Sequence, residues 1–181
     1  MTGRLAVGFG QSGTVKVFVL VGGWPASGKT TLARALASEL RIAYLSKDEV
    51  KEALMDRLGA PTSVEESRRL GGAAVAAVLR AACGCPAAVI DSTWYPYSLP
   101  LVRELPGPFV EIHCQVSLNI VRERYRTRKR DHRHLDASRS EDELWDDEVL
   151  PLGVGPLLDV DTTEPVDVIS LASRIKALVV G

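Results

Sequence analysis

Val17-Phe18-Val19-Leu20-Val21-Gly22-Gly23-Trp24-Pro25-Ala26-Ser27-Gly28-Lys29-Thr30-Thr31 decides how the rest of the chain is read. The apolar run before Gly22 has the length and β-branched content of a buried strand. Gly23 and Gly28 bracket a loop whose backbone is free to curl. Beyond it Leu32, Leu36 and Leu40 recur every fourth residue, with Ala33, Ala35 and Ala37 between them, which is one apolar face of a helix. Gly23–Thr30 also fits G-x-x-x-x-G-K-[ST], the spacing of a phosphate-binding P-loop. A polyphosphate needs several backbone N–H donors aimed inward, so the loop has to curl without side chains in the way. Candidate nucleotide-binding residues are therefore Gly23, Ala26, Ser27, Gly28, Lys29, Thr30 and Thr31. The helix start adds the positive end of its dipole. The Lys29 ammonium reaches the β- and γ-phosphates, and the Thr30 hydroxyl is placed for Mg²⁺.

A chain of 181 residues with 46% apolar content is long enough to fill one core. The expected division is a flexible N-terminal tail, 1–14, and a single domain, 15–181. A formal charge of -1 gives no global attraction to nucleic acid or to a membrane, so any polyanion site is local. No apolar run has the length of a membrane span and no secretory leader is recognised, which leads to a cytoplasmic expectation. Cys83-Gly-Cys85 has no second pair at zinc spacing, and Cys114 stands alone, so the cysteines read as free thiols.

Strands and helices alternate along the chain. The expected elements are strands at 16–21, 42–45, 87–91, 109–114 and 157–161, with helices at 28–40, from 48, from 63 to 82, from 117 and from 165 or 167. Ser46 and Glu49 have capping-box spacing, as do Ser63 with Glu66 and Ser140 with Glu143. Val50, Leu54 and Leu58 then mark the inner face of the helix after Ser46, and Ser67, Arg68 and Arg69 a solvated face of the next. The pattern predicts a three-layer α/β/α fold around a mainly parallel five-stranded sheet.

Three places off the loop carry chemistry. Asp48 falls in a first helical turn just past the carboxyl end of a strand, the edge where ligands collect in open α/β sheets. It serves either a reaction there or only the helix dipole. Asp91 ends an apolar strand, either as a Mg²⁺ ligand beside Thr30 or as a turn former. Trp94, Tyr95 and Tyr97 follow, as a pocket wall or as a packed loop. The third place is basic: Arg122, Arg124, Arg126, Arg128, Lys129, Arg130 and Arg133. Arg124 and Arg128 share one helical face, and Arg122 and Arg126 another. They are either a lid, about 124–140, bringing guanidinium groups to phosphate, or a solvated helix balanced by the acids downstream. His113, in a strand, is given no catalytic role. Ser117 is expected to cap its helix, with Leu118, Val121 and Tyr125 inward. Val168, Leu171, Ile175 and Leu178 are expected inward on the last helix.

These motifs together resemble the AAA-type P-loop kinases that include the polynucleotide 5′-hydroxyl kinase domain and chloramphenicol phosphotransferase. The resemblance rests on Gly23–Thr31, on Ser46-Lys47-Asp48-Glu49-Val50, on Val89-Ile90-Asp91-Ser92-Thr93 and on Arg124-Tyr125-Arg126-Thr127-Arg128. The strand end Leu158–Thr163 is similar to the edge that meets the nucleotide base. The resemblance implies a P-loop NTPase fold with an Arg-rich lid, ATP and Mg²⁺. It implies transfer of the γ-phosphoryl group to a hydroxyl, with Asp48 as general base, Lys29, Arg124 and Arg128 on the phosphates, and Thr30 and Asp91 on the metal. Where polynucleotide kinases often carry Thr-Asn after the strand acid, this chain has Ser92-Thr93-Trp94. A small-molecule acceptor is therefore the leading reading. A polynucleotide 5′-kinase, or a nucleotide switch or ATPase without an acceptor, are the alternatives.

Overall fold

The computed structural model describes residues 16–128, 132–135, 145 and 149–180. The expected tail, 1–14, part of the expected lid, and the expected helix after Ser140 apart from Trp145 lie outside these residues.

β1 (Phe18–Gly23) leads through the loop into α1 (Lys29–Leu40). β2 (Ala43–Ser46) runs straight into α2 (Lys47–Leu58), and α3 (Val64–Ala82) precedes β3 (Ala88–Asp91). A short 3-10 turn (Pro96–Ser98) and α4 (Leu99–Val102) lead to β4 (Phe109–Gln115). α5 (Leu118–Thr127), β5 (Leu157–Asp161) and α6 (Val168–Val180) complete the described elements. The sheet order is β2-β3-β1-β4-β5 and every pairing is parallel. β1 is therefore central, with β3 on one side and β4 on the other. In open parallel sheets the crevice at such a reversal of strand order is where ligands bind, and the glycine loop emerges there.

β1 is buried on both faces, as a central parallel strand has to be. Val17, Val19 and Val21 pack with Leu32, Leu36 and Ala33 of α1 and with Leu171, Ala172 and Ile175 of α6. Phe18 and Leu20 pack on the other face with Val75, Val78 and Leu79 of α3 and with Trp94. Each valine, leucine, isoleucine or phenylalanine among them contributes about 1.5–3 kcal/mol by leaving water. Glu111, buried in β4, accepts from the Val154 amide at 2.7 Å and from the Leu152 amide, which fastens the segment leading into β5.

Several expectations change. Leu178 is 42% exposed, and Ala172 and Val179 face the core of α6 instead. Leu118 is also exposed, so Val121 is the buried residue of α5. Ser117 stands at the N-cap of α5, but its hydroxyl makes no capping bond. In α2 the buried residues are Lys51 and Met55, while Leu58 lies in solvent near the helix end.

Candidate active site

The loop after β1 has its shape because its backbone enters left-handed space. Gly23 has φ 132°, Ala26 φ 66° and Gly28 φ 88°. A Cβ on Gly23 would stand 2.7 Å from the Cys114 carbonyl oxygen and 2.9 Å from Ser27 Oγ, so only glycine fits between the loop and β4. The Ser27 amide donates to the Trp24 carbonyl at 3.1 Å, and the Lys29 ammonium donates to the same oxygen at 3.0 Å. Thr162, at the end of β5, donates its hydroxyl to the Ser27 carbonyl at 2.6 Å and ties the loop to the far side of the sheet. Gly28 is the N-cap of α1, with no side-chain cap and no acid in the first turn. The positive end of this helix thus faces the loop uncompensated by its own side chains. Gly23→Ala is expected to cost about 1–3 kcal/mol of stability through strain and to abolish nucleotide binding. Thermal melting with and without an ATP analogue reads both effects.

A cleft of about 920 Å³ opens beside the loop. Ala26, Gly28, Lys29, Thr30 and Thr31 line it; Gly23 and Ser27 do not, and Ser27 is fully buried. Asp48 lines the same cleft, so the acid from the β2 edge and the phosphate loop meet in one space. The register explains this: Ser46 is level with Asp91 on β3, and Asp91 with Val21 on β1. Ser46 caps α2 by accepting from the Glu49 amide at 3.4 Å, which turns the first helical turn toward the crevice. Asp48 also accepts from the Lys47 ammonium at 3.0 Å.

Thr30 Oγ1 donates to Asp91 Oδ2 at 2.6 Å, and Tyr44 Oη donates to the same oxygen at 3.3 Å. Asp91 is only 4% exposed. Burial pushes its carboxyl above the usual carboxylate range, against the pull of the Lys29 charge and the Thr30 hydrogen bond; the Asp48 charge adds to the rise. The folded chain consequently holds this proton more tightly than the unfolded chain. That contribution to stability is complete below the ordinary carboxylate pKa and fades as pH rises through the raised value. Asp91→Asn is expected to hold or raise the melting temperature of the nucleotide-free protein at neutral pH and to flatten this part of the pH dependence. Metal-dependent turnover is expected to fall in the same variant. Calorimetry across the acid range, set beside activity at saturating Mg²⁺, checks both. Cys114, packed under the loop, has its thiol pushed up to about 12 by burial, so it stays protonated at neutral pH.

The arginines divide by helix face. Arg124 and Arg128 line the cleft. Arg124 donates to the carbonyls of Thr162 and Thr163 at 3.0 and 2.8 Å, bracing the end of β5. The Arg128 guanidinium lies 4.1 Å from the centre of the Tyr125 ring. Arg126 is exposed beside Glu123, and Arg122 lies over Trp145, whose ring also meets Trp24 and Tyr125. A turn at His132–His134 sits against α2, with Arg133 on Asp56 at 2.7 Å and buried His134 on Glu52 at 2.8 Å. His113 pairs with Asp159 at 3.2 Å, outside the cleft.

Sequence reasoning missed part of the site. Tyr44 was read only as a strand residue. Lys47, Lys51, Ser67, Arg68, Gly71 and Thr93 also reach the cleft. Ser67, expected on a solvated face, is 1% exposed and accepts from the Lys51 ammonium at 2.7 Å. Helical spacing held the signal: Lys51 lies three residues past Asp48, on the same side of α2. Tyr95 and Tyr97 line the cleft with their rings stacked 5.9 Å apart, whereas Trp94 is buried and donates to the Val21 carbonyl, so the aromatic cluster is part wall and part core.

The fold recurs in solved structures. A candidate kinase from Chloroflexus aurantiacus is 30% identical, with a TM-score of 0.75, over 91% of this chain and 96% of that one. The shikimate kinase of Acinetobacter baumannii, solved with shikimate, is 17% identical with a TM-score of 0.57, over 92% of this chain and 94% of its own. The APS kinase of Mycobacterium tuberculosis, solved with AMPPNP and APS, is 19% identical with a TM-score of 0.55, over 93% and 100%. The last two share the fold with this chain. No curated protein matches it. The model of the AAA domain family matches residues 19–146, a span that opens in β1, carries the whole phosphate loop and takes in Asp48, Asp91 and the α5 arginines. The chain belongs to that family and has the fold of the P-loop kinases.

Proposed function

We propose that the protein transfers the γ-phosphoryl group of ATP to a hydroxyl of a small molecule. The observation that carries this reading is that Asp48 lines the same cleft as Lys29, Thr30 and the N-terminus of α1. A carboxylate in the same cleft as the phosphate loop can take the proton of an attacking hydroxyl, which nucleotide binding alone does not require.

The P-loop amides and Lys29 hold the triphosphate, and Lys29 gives up the Trp24 carbonyl to do so. Asp48 accepts the proton of the acceptor hydroxyl as its oxygen attacks. The new O–P bond forms in line with the breaking bond between the γ-phosphorus and the β–γ bridging oxygen. ADP leaves with that electron pair. Arg128 and Arg124 offset the charge of the transferring group. Thr30 Oγ1 and Asp91 Oδ2, two oxygen donors 2.6 Å apart with a buried carboxylate, fit a hard divalent cation such as Mg²⁺. When bound, that ion supplies charge neutralisation across the phosphates.

A polynucleotide acceptor would need the 122–133 arginines as a groove. Arg126 lies beside Glu123 and Arg133 pairs with Asp56, which favours the small acceptor. The likeness to polynucleotide kinases and to chloramphenicol phosphotransferase rests on motifs alone. Mass spectrometry of metabolite and antibiotic pools incubated with ATP and the protein tests the reading. A hydroxyl compound gaining one phosphate supports it. ATP turnover with no phosphorylated compound in any pool refutes it.

A further inference from the structure

Thr162, at the end of β5, is held on every polar atom it has. Its amide donates to the Gln115 carbonyl at 2.9 Å, and its carbonyl accepts from Arg124 at 3.0 Å. Its hydroxyl lies 2.6 Å from the Ser27 carbonyl and 3.1 Å from the Gln115 carbonyl. A hydroxyl has one proton to give. The Gln115 carbonyl already receives the Thr162 amide and the Ser27 oxygen is nearer, so the proton goes to Ser27. A β-branched side chain is stiff, which fixes that aim. The consequence lies at the other end of the same peptide. The Ser27–Gly28 bond is trans. In a trans peptide the C=O and the N–H point in opposite directions. With the Ser27 carbonyl held toward β5, the Gly28 N–H points away from β5, to the cleft that Gly28 lines. Residue 28 does not enforce this by itself. It has φ 88°, and glycine takes either sign of φ at little cost. A half-turn of this one peptide would aim a carbonyl oxygen, instead of an N–H, at the phosphates.

We infer that Thr162 is a positioning residue for nucleotide binding: its hydroxyl locks the Ser27–Gly28 peptide in the orientation that gives the Gly28 N–H to the phosphates. The lock works through burial. Ser27 is fully buried, so a carbonyl deprived of that hydroxyl is left unpaired away from water, at more cost than the bond itself contributes. The half-turned peptide relieves that cost by turning the oxygen into the open cleft. Thr162 therefore removes a competing state of the loop. A ligand that binds only one of two states loses affinity as the other becomes populated. Arg124 supports the brace, because its guanidinium, on the carbonyls of Thr162 and Thr163, fixes the strand end from which the hydroxyl projects. The inference rests on the nucleotide-binding half of the kinase reading and not on phosphoryl transfer; it needs neither Asp48 nor an acceptor.

Two measurements test this. In the first, ADP and inorganic tripolyphosphate are titrated calorimetrically into wild type, Thr162→Val and Thr162→Ser, well below the melting temperature of each. Valine keeps the shape and removes the proton, and serine keeps the proton. Both dissociation constants are expected to rise about tenfold in Thr162→Val and largely to return in Thr162→Ser. Melting without ligand is expected to fall in Thr162→Val as well. A hydroxyl that only steadied the fold would lower melting and leave both dissociation constants in place. The second measurement needs no variant. Wild-type protein carrying ¹⁵N-glycine is titrated with ADP, and the Gly28 amide proton resonance is expected to move downfield as its N–H takes a charged acceptor. A Gly28 resonance that ADP leaves in place, unchanged dissociation constants in folded Thr162→Val, or a loss that Thr162→Ser does not restore overturns the inference. Transfer is read separately. If binding follows this pattern and no hydroxyl compound gains a phosphate, the kinase reading falls and the role of Thr162 stands. If transfer proceeds and Thr162→Val binds ADP as wild type does, the role of Thr162 falls and the kinase reading stands.

Discussion

Asp48→Asn is expected to lower kcat for phosphoryl transfer by about 10²–10⁴, the range lost when a positioned proton acceptor is removed. Asn keeps the size of the side chain and accepts a hydrogen bond from Lys47, but it cannot take the acceptor's proton. ATP affinity is expected to change by no more than a few-fold, because Asp48 sits on α2 and the phosphates are held from α1 and its loop. The alternative role of Asp48, complementing the dipole of α2, predicts something different. It would cost about 0.3–1 kcal/mol of stability and leave turnover intact. Melting and single-turnover kinetics on the same variant separate the two roles. A stable enzyme without turnover assigns the base, and a slightly weakened enzyme with full turnover assigns the dipole.

Lys29→Met is expected to lower turnover by about 10²–10³ and, unlike Asp48→Asn, to weaken ATP binding too. The lysine touches both ground state and transition state, so kcat and KM are both expected to worsen. A second effect follows from the electrostatics around Asp91. Lys29 is the strongest influence holding that carboxyl down against the rise caused by burial. Without it the Asp91 pKa climbs further, and the acid limb of the residual pH–rate profile is expected to move to higher pH. A methionine that merely removed packing would leave that limb in place, so the pH profile distinguishes a charge effect from a shape effect.

What the sequence disclosed and what it hid follow from the range of the interactions. The strand–loop–helix unit was legible because its signals are local. An apolar run, two glycines and a lysine at fixed offsets leave few other foldings, and Gly23 and Gly28 do adopt positive φ. Ser46 and Ser63 were legible as caps for the same reason, each accepting from the amide three residues on. Ser117 misled because a cap also depends on where the hydroxyl points, which its neighbours do not fix. The α2 face misled for a longer-range reason. Apolar periodicity picked Val50, Leu54 and Leu58, and Val50 does pack against the core, but α2 also packs on α3 and borders a polar cleft, so Lys51 and Met55 are the buried residues and Leu58 is exposed. Arg68 and Ser67 looked like solvent-facing residues because nothing within α3 marks the cleft as lying opposite. Tyr44 joined Asp91 through the β2–β3 register, a contact across 47 residues that no spacing rule reports.

A crystal structure with Mg²⁺ and AMPPNP tests the central claim most directly. The account predicts the terminal phosphate in the loop hollow on Lys29 and the α1 amides, with the Asp48 carboxylate across from it. The gap between them should admit one acceptor oxygen at about 3 Å from each. A terminal phosphate seated elsewhere, or an Asp48 side chain turned toward solvent with no room for an acceptor between the two, would contradict it.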